Sequence, residues 1–240
     1  MFRIKNLNLI AHKSDLVLLP EGKLLINTIN SRSYNTAQYD EFYAEALLKG
    51  DVLIADGISV AKTYNFFNRK SIDRVAGADL FEVEMDKLNK RGGTCFFLGS
   101  SEETLQQIKK KGAEVYPNIK IETYSPPYKT EFSDEENRAM IDAVNNAHPD
   151  LLWIGMTAPK QEKWAYRHLN ELNIDCHIGT IGAVFDFFAG NIKRAPIGWQ
   201  KSGFEWLYRF TRDPKKLWKR TLQCVPLFSW NVLREMLSKE

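Results

Sequence analysis

The sequence predicts an α/β fold: a Rossmann-like, largely parallel sheet with helices on both faces, followed by a basic helical appendage. Three observations carry this. Six apolar runs of strand length punctuate the chain, and helical patterns separate most of them. The runs are also continuously apolar rather than alternating, as strands covered on both faces require.

The first run is KLLINTI (23–29) and the second DVLIAD (51–56). Between them, from Thr36 to Lys49, Ala37, Tyr43, Ala44 and Leu47 fall at helical spacing, and Gly50 follows as a stop signal. TCFFLGS (94–100) is the third run, followed by a helix predicted to open on a capping box of Ser100 with Glu103 and to end at Gly112. After IKIETY (119–124), Ser133 and Glu136 repeat the capping device. DLLWIGM (150–156) leads to APKQEKWAYRHLNEL, with Pro159 at the expected first helical position, and DCHIGTI (175–181) completes the set. Beyond it, Pro214 and Pro226 are expected to break the appendage into two or three amphipathic helices.

The 240 residues suffice for one sizeable core, read here as a catalytic domain over 1–198 and the appendage over 199–240. From Trp199 onward, nine Lys and Arg stand against four acids, a local +5 that leaves the body at −2. The same segment holds four of the six tryptophans, a composition suited to a membrane surface or an anionic, lipid-linked ligand. A docked helix with a solvated basic face is the plainer alternative. The N-terminus lacks the marks of a signal peptide and no window is long and apolar enough to span a bilayer, so a cytoplasmic location is expected. Cys95, Cys176 and Cys224 are expected to be reduced structural thiols. The four histidines lack metal-ligand spacing.

In parallel sheets ligands bind outside the carboxyl ends of the strands. Those ends carry Thr28 and Asn30, Asp56 and Gly57, Gly99 and Ser100, Gly155 with TAPKQE, and Gly179 to Gly182 with Asp186 close behind. Glycine admits backbone amides to a phosphate, and a helix start adds its dipole. Neither GxGxxG after the first strand nor GxxxxGK[ST] occurs, which argues against a nicotinamide or P-loop enzyme. Taken alone, Asp56 has three readings: helix cap, folding ion pair or catalytic base.

LLINTINSRSYNTA, VLIADGISVAK, DRVAGADLF, FFLGSSEET, LLWIGMTAPKQEKW, GTIGAVFDFFAGNIKRAPIGWQKSGFEWLYRF and RDPKKLWKR resemble, in order and spacing, the bacterial WecG/TagA/CpsF glycosyltransferases. The resemblance runs from about Gly22 to about Arg220. It implies inverting transfer of a sugar, typically N-acetylmannosamine or its uronic acid, from a UDP-sugar to a polyprenyl-diphosphate-linked acceptor at the inner membrane face. Neither a metal nor another cofactor is expected, and the sequence has no DxD.

The resemblance also implies roles. Asp56 becomes the base, and Thr28 and Asn30 lie near the donor phosphates and sugar. Arg74 clamps a diphosphate, Gln161 faces the site with Lys160 beside it, and Asp186 contacts the nucleoside. Arg209, Arg212 and Arg220 of the appendage close over the site. Lys216 and Lys219 stand where relatives often carry arginine, losing its bidentate fork. A homo-oligomer is allowed. The rival from another class is a non-catalytic module gripping anionic lipid or nucleic acid. Nucleic acid is not expected as a partner.

Overall fold

A computed structural model describes residues 2–193, 195–196, 198–199 and 214–238, with backbone only for 214–222. Six strands, β1 (Leu24–Ile29), β2 (Val52–Ala55), β3 (Gly93–Gly99), β4 (Ile119–Tyr124), β5 (Leu151–Gly155) and β6 (His177–Thr180), form one sheet in the order β2-β1-β6-β5-β3-β4. Every pairing is parallel, so each apolar run expected to be a strand is one. The strands alternate with α1 (Ser31–Ala37), α2 (Glu41–Lys49), α3 (Ile58–Asn68), α4 (Gly77–Arg91), α5 (Glu102–Val115), α6 (Asp134–Ala147), α7 (Lys160–His168) and α8 (Val184–Ala189).

Successive strand residues enter opposite cores. Ile26, Ile54, Phe97 and Trp153 pack with α4, α5 and α8, whereas Leu25, Phe96, Leu152 and Ile178 pack with α6 and α7. Tyr34, Tyr43, Val60 and Tyr64 cover the β1–β2 end. Cys95 and Cys176 are buried and unpaired, and Cys224 is half-buried.

Four helix expectations need correction. The helix expected over 36–49 is two, because the Asp40 carboxylate accepts the Tyr43 N–H and starts α2 afresh. The cap of α5 is Ser101, bonded to the Thr104 N–H; Ser100, at φ +61°, stands outside. Gly112 does not end α5; it lies inside it because a side chain there would run into Ile121. Pro226 does not break the appendage, where α9 runs unbroken from Pro214 to Leu237. Contacts after the proline hold that helix: Phe228 meets Tyr34 edge to face and Asn231 donates to Asn35. The Ser133–Glu136 box forms as expected, and Pro159 sits one residue before the helix, at its cap.

Below the sheet, at the start of β6, the two ring nitrogens of His177 face two acceptors, Glu84 Oε2 at 2.9 Å and the Pro20 carbonyl at 2.8 Å. Two acceptors require two N–H donors, so the ring is an imidazolium. Burial would lower the His177 pKa, but the Glu84 bond and the Pro20 carbonyl hold it above 6.5. Burial would likewise raise Glu84, yet His177 and Lys87 keep it below 4.5. The stabilisation is therefore lost as pH falls through the folded value of Glu84, and also as pH rises through that of His177. Thermal midpoints should drop as pH climbs from 6.5 past the His177 transition. His177→Ala should remove that drop and cost about 3 kcal/mol at pH 6; an unchanged pH–stability curve in the variant would refute the pair.

Candidate active site

The candidate residues lie along the carboxyl ends of the strands. β3 and β5 are neighbours, but the chain leaves β3 toward β4 at the edge and leaves β5 toward β6 in the other direction. Open parallel sheets take ligands at such a point. At one end, β2 delivers Asp56 and the segment before α4 delivers Arg74. The guanidinium lies 3.4 Å from the Asp56 carboxylate and 3.4 Å from its carbonyl. Val75 N–H donates to the Ala55 carbonyl, fixing that segment across the strand ends.

α3 begins after Gly57 with no side-chain cap bond. Of the three readings of Asp56, the cap is therefore not made, and the ion pair with Arg74 is. The Asp56 side chain is 32% exposed and that of Arg74 17%, so the pair is partly open to solvent at the strand ends.

Thr28, on β1, touches the space beside Gly77 at the start of α4. Asn30 caps α1, its Oδ1 accepting from the Arg32 and Ser33 N–H groups, so only its amide nitrogen is left for a ligand. Gly57 lies directly against Asn30, which places Thr28, Asn30, Asp56, Arg74 and the N-terminus of the 15-residue α4 in one cluster.

At the other end, Gly99 (φ +116°) pairs with Gly155 across β3 and β5. A side chain on Gly99 would strike the Gly155 backbone, and one on Gly155 would strike the Phe185 ring. Close packing thus accounts for both glycines. Ser100 donates its N–H to the Gly155 carbonyl and accepts from the Ser125 hydroxyl. Gln161 is buried in the first turn of α7, its Oε1 accepting the Met156 N–H at 3.2 Å and lying against Gly182. Ile181, next to Gly182, also borders Gly77, so the two ends share one wall.

Lys160 points elsewhere. Its ammonium donates to the Lys129 carbonyl and sits 4.2 Å from the centre of the Phe132 ring, tethering the loop after β4. Asp186 is half-buried in the first turn of α8. Arg209 and Arg212 lie outside the described residues, and Arg220 lies on α9 with its side chain outside them.

Sequence reasoning passed over Glu162, beside Gln161 and 1% exposed. Its position three residues before buried Ala165 puts a charge on the apolar stripe of α7, which was the available signal. Glu235, buried on α9, was likewise missed.

A parallel sheet whose strand ends bring a carboxylate, a guanidinium and a long helix's N-terminus to one wall suits an enzyme acting on a phosphorylated ligand. Comparison with known proteins makes this specific: the chain belongs to the glycosyl transferase WecG/TagA/CpsF family, whose model matches residues 3–240. It is also 31% identical over 218 residues to the N-acetylglucosaminyldiphosphoundecaprenol N-acetyl-beta-D-mannosaminyltransferase of Bacillus subtilis (strain 168). That match covers 90% of this chain and 81% of the relative.

Proposed function

We propose that this glycosyltransferase moves a hexosamine, N-acetylmannosamine first, from a UDP-sugar to a polyprenyl-diphosphate-linked sugar. The transfer inverts the anomeric centre, needs no metal, and serves assembly of a cell-surface polysaccharide or teichoic acid. The observation that carries the reading is Asp56, a half-buried carboxylate at a strand end beside Arg74. The named activity of the Bacillus subtilis relative supports the choice of sugar and acceptor. UDP-glucose and UDP-N-acetylmannosaminuronic acid are the alternative donors.

In this mechanism the acceptor hydroxyl gives its proton to Asp56 as its oxygen attacks the anomeric carbon. The bond from that carbon to the diphosphate breaks on the opposite face, and its electron pair leaves with UDP. Arg74 and the N-terminus of α4 meet the developing charge. Thr28, the Asn30 amide and Gln161 orient donor and acceptor.

The 199–240 appendage brings the enzyme to the membrane surface, with Arg209, Arg212 and Arg220 toward the lipid diphosphate. Among the described residues no helix is long and apolar enough to cross a bilayer. α9 does turn Trp230, Leu233 and Leu237 outward, a stripe suited to lying in an interface.

The test is UDP release from a panel of UDP-sugars with a short-chain lipid-diphosphate-GlcNAc acceptor and EDTA present. Acceptor-dependent release with UDP-N-acetylmannosamine, undiminished by the chelator, is the expected result. Release that stops on chelation would sink metal independence, and preference for another donor would move the sugar assignment.

A further inference from the structure

We propose that Glu162 is a positioning residue for the transfer: its carboxylate holds the Gln161 amide in one orientation behind the strand ends, and turnover follows its charge. This rests on the glycosyl-transfer reading above and deepens it. Gln161 is held at both ends. Its Oε1 accepts the Met156 N–H at 3.2 Å, and its Nε2 donates to Glu162 Oε1 at 2.9 Å. Flipping the amide would set its oxygen against the carboxylate and its NH₂ against the Met156 N–H, two like-polarity contacts in a buried place. The remaining Nε2 N–H is then the donor Gln161 can offer a ligand. Gly182, at φ +43°, packs closely against that amide, where a side chain would press on the Gln161 oxygen.

Packing alone does not account for the acid. Glu162 is 1% exposed, yet its Oε2 has no hydrogen-bond partner among the described residues. A buried, half-satisfied carboxylate is costly, and a glutamine would fill the same space without the charge. Among the described residues no cation is bonded to it. From α2 comes Tyr43, whose buried hydroxyl has no hydrogen-bond partner among the described residues and lies within the influence of Ser33 and Arg32 of α1, while Asp40 is paired with Lys163 of α7. His168 of α7 is taken by Glu171. On β1 and β6, Asn27 and Thr180 are neutral and bonded to each other. Burial accordingly pushes the Glu162 carboxyl up to about 7, with the Gln161 bond opposing it. Ionised, Glu162 makes a charge-assisted bond that fixes the amide. Protonated, it makes a neutral one, and the preference for one orientation weakens.

Two readouts test this, one independent of catalysis. In ¹⁵N-resolved NMR, the Gln161 side-chain amide, assigned by its loss in Gln161→Ala, should shift with a midpoint near pH 7 and cease to do so in Glu162→Gln. In turnover, kcat/KM should rise through pH 7 in the wild type. Glu162→Gln should lose that inflexion and run about tenfold slower at pH 8, with its melting point checking the fold. Gln161→Ala combined with Glu162→Gln should be no slower than Gln161→Ala alone. An amide that does not titrate overturns the proposal whatever the activity, as does a titrating amide with an unaltered pH–rate profile in Glu162→Gln. A titrating amide in a protein that transfers no sugar from any donor would instead refute the glycosyl-transfer reading, leaving the Glu162–Gln161 coupling established.

Discussion

Replacing Asp56 by asparagine should cut acceptor-dependent UDP release about a thousandfold while leaving UDP binding in place. The size follows from what a positioned general base contributes, roughly 10²- to 10⁴-fold. The amide keeps the shape and one acceptor oxygen, so neither the turn into Gly57 nor the wall around Arg74 should collapse. What it loses is the ability to take the acceptor's proton at the moment of attack. The structure sharpens the experiment because α3 starts at Gly57 without a side-chain cap: a loss of rate cannot be put down to a frayed helix. The Arg74 contact has to be separated, since Asp56→Asn also weakens a 3.4 Å ion pair. Arg74→Ala should therefore be run beside it, with UDP affinity measured for both. Loss of UDP binding in Arg74→Ala alone assigns the guanidinium to the diphosphate and the carboxylate to the acceptor. Full turnover in Asp56→Asn would leave Asp56 as an ion-pair partner and no more.

The strand ends were legible in the sequence for a simple physical reason. Runs such as LLINTI and LLWIG are apolar on both faces, and in a chain of alternating helices that pattern has one economical solution, a parallel sheet. Once the strands are placed, Thr28 and Asp56 fall at carboxyl ends without further information, and Gln161 falls in the helix start that follows β5. The local signals failed where two of them competed. Ser100 and Ser101 are both fit to cap α5, and only the left-handed backbone at Ser100 decides between them. Gly112 and Pro226 read as stops, but tertiary contacts, a close approach to Ile121 and the docking of Phe228 and Asn231, override propensity. Buried carboxylates were the least legible. Glu84 and Glu235 look like surface charges until the fold brings His177 and Tyr34 to them. A partner 93 or 201 residues away leaves no trace in the spacing.

Glu235→Ala should be the most destabilising single change in the appendage, about 4 kcal/mol and a melting-point drop of roughly 10 °C for a chain of this size. Glu235 is 2% exposed and uses both oxygens. Oε2 accepts the Ile4 N–H at 3.0 Å and the Tyr34 hydroxyl at 2.8 Å, and Oε1 accepts the Lys5 N–H at 2.9 Å. Burial and this carboxylate together push the Tyr34 pKa far up, so the phenol remains a donor. Alanine leaves two amides and a hydroxyl facing a void, and each unmet buried donor costs on the order of 1 to 3 kcal/mol. Glutamine keeps the volume and one acceptor but turns an N–H toward a donor, so it should cost about half as much. The loss can also be local. α9 touches α1 through Cys224, Phe228, Asn231 and Glu235, which meet Ser31, Tyr34 and Asn35, and α1 begins at the Asn30 cap at the strand ends. If the helix undocks on its own, amides of 228–237 should exchange quickly while those of β1, β5 and β6 keep their protection. Turnover on a lipid-linked acceptor should then fall with UDP binding intact, because the strand-end residues proposed to hold the donor are untouched. Unchanged melting and unchanged exchange in Glu235→Ala would mean that the three bonds do not hold α9 to the body.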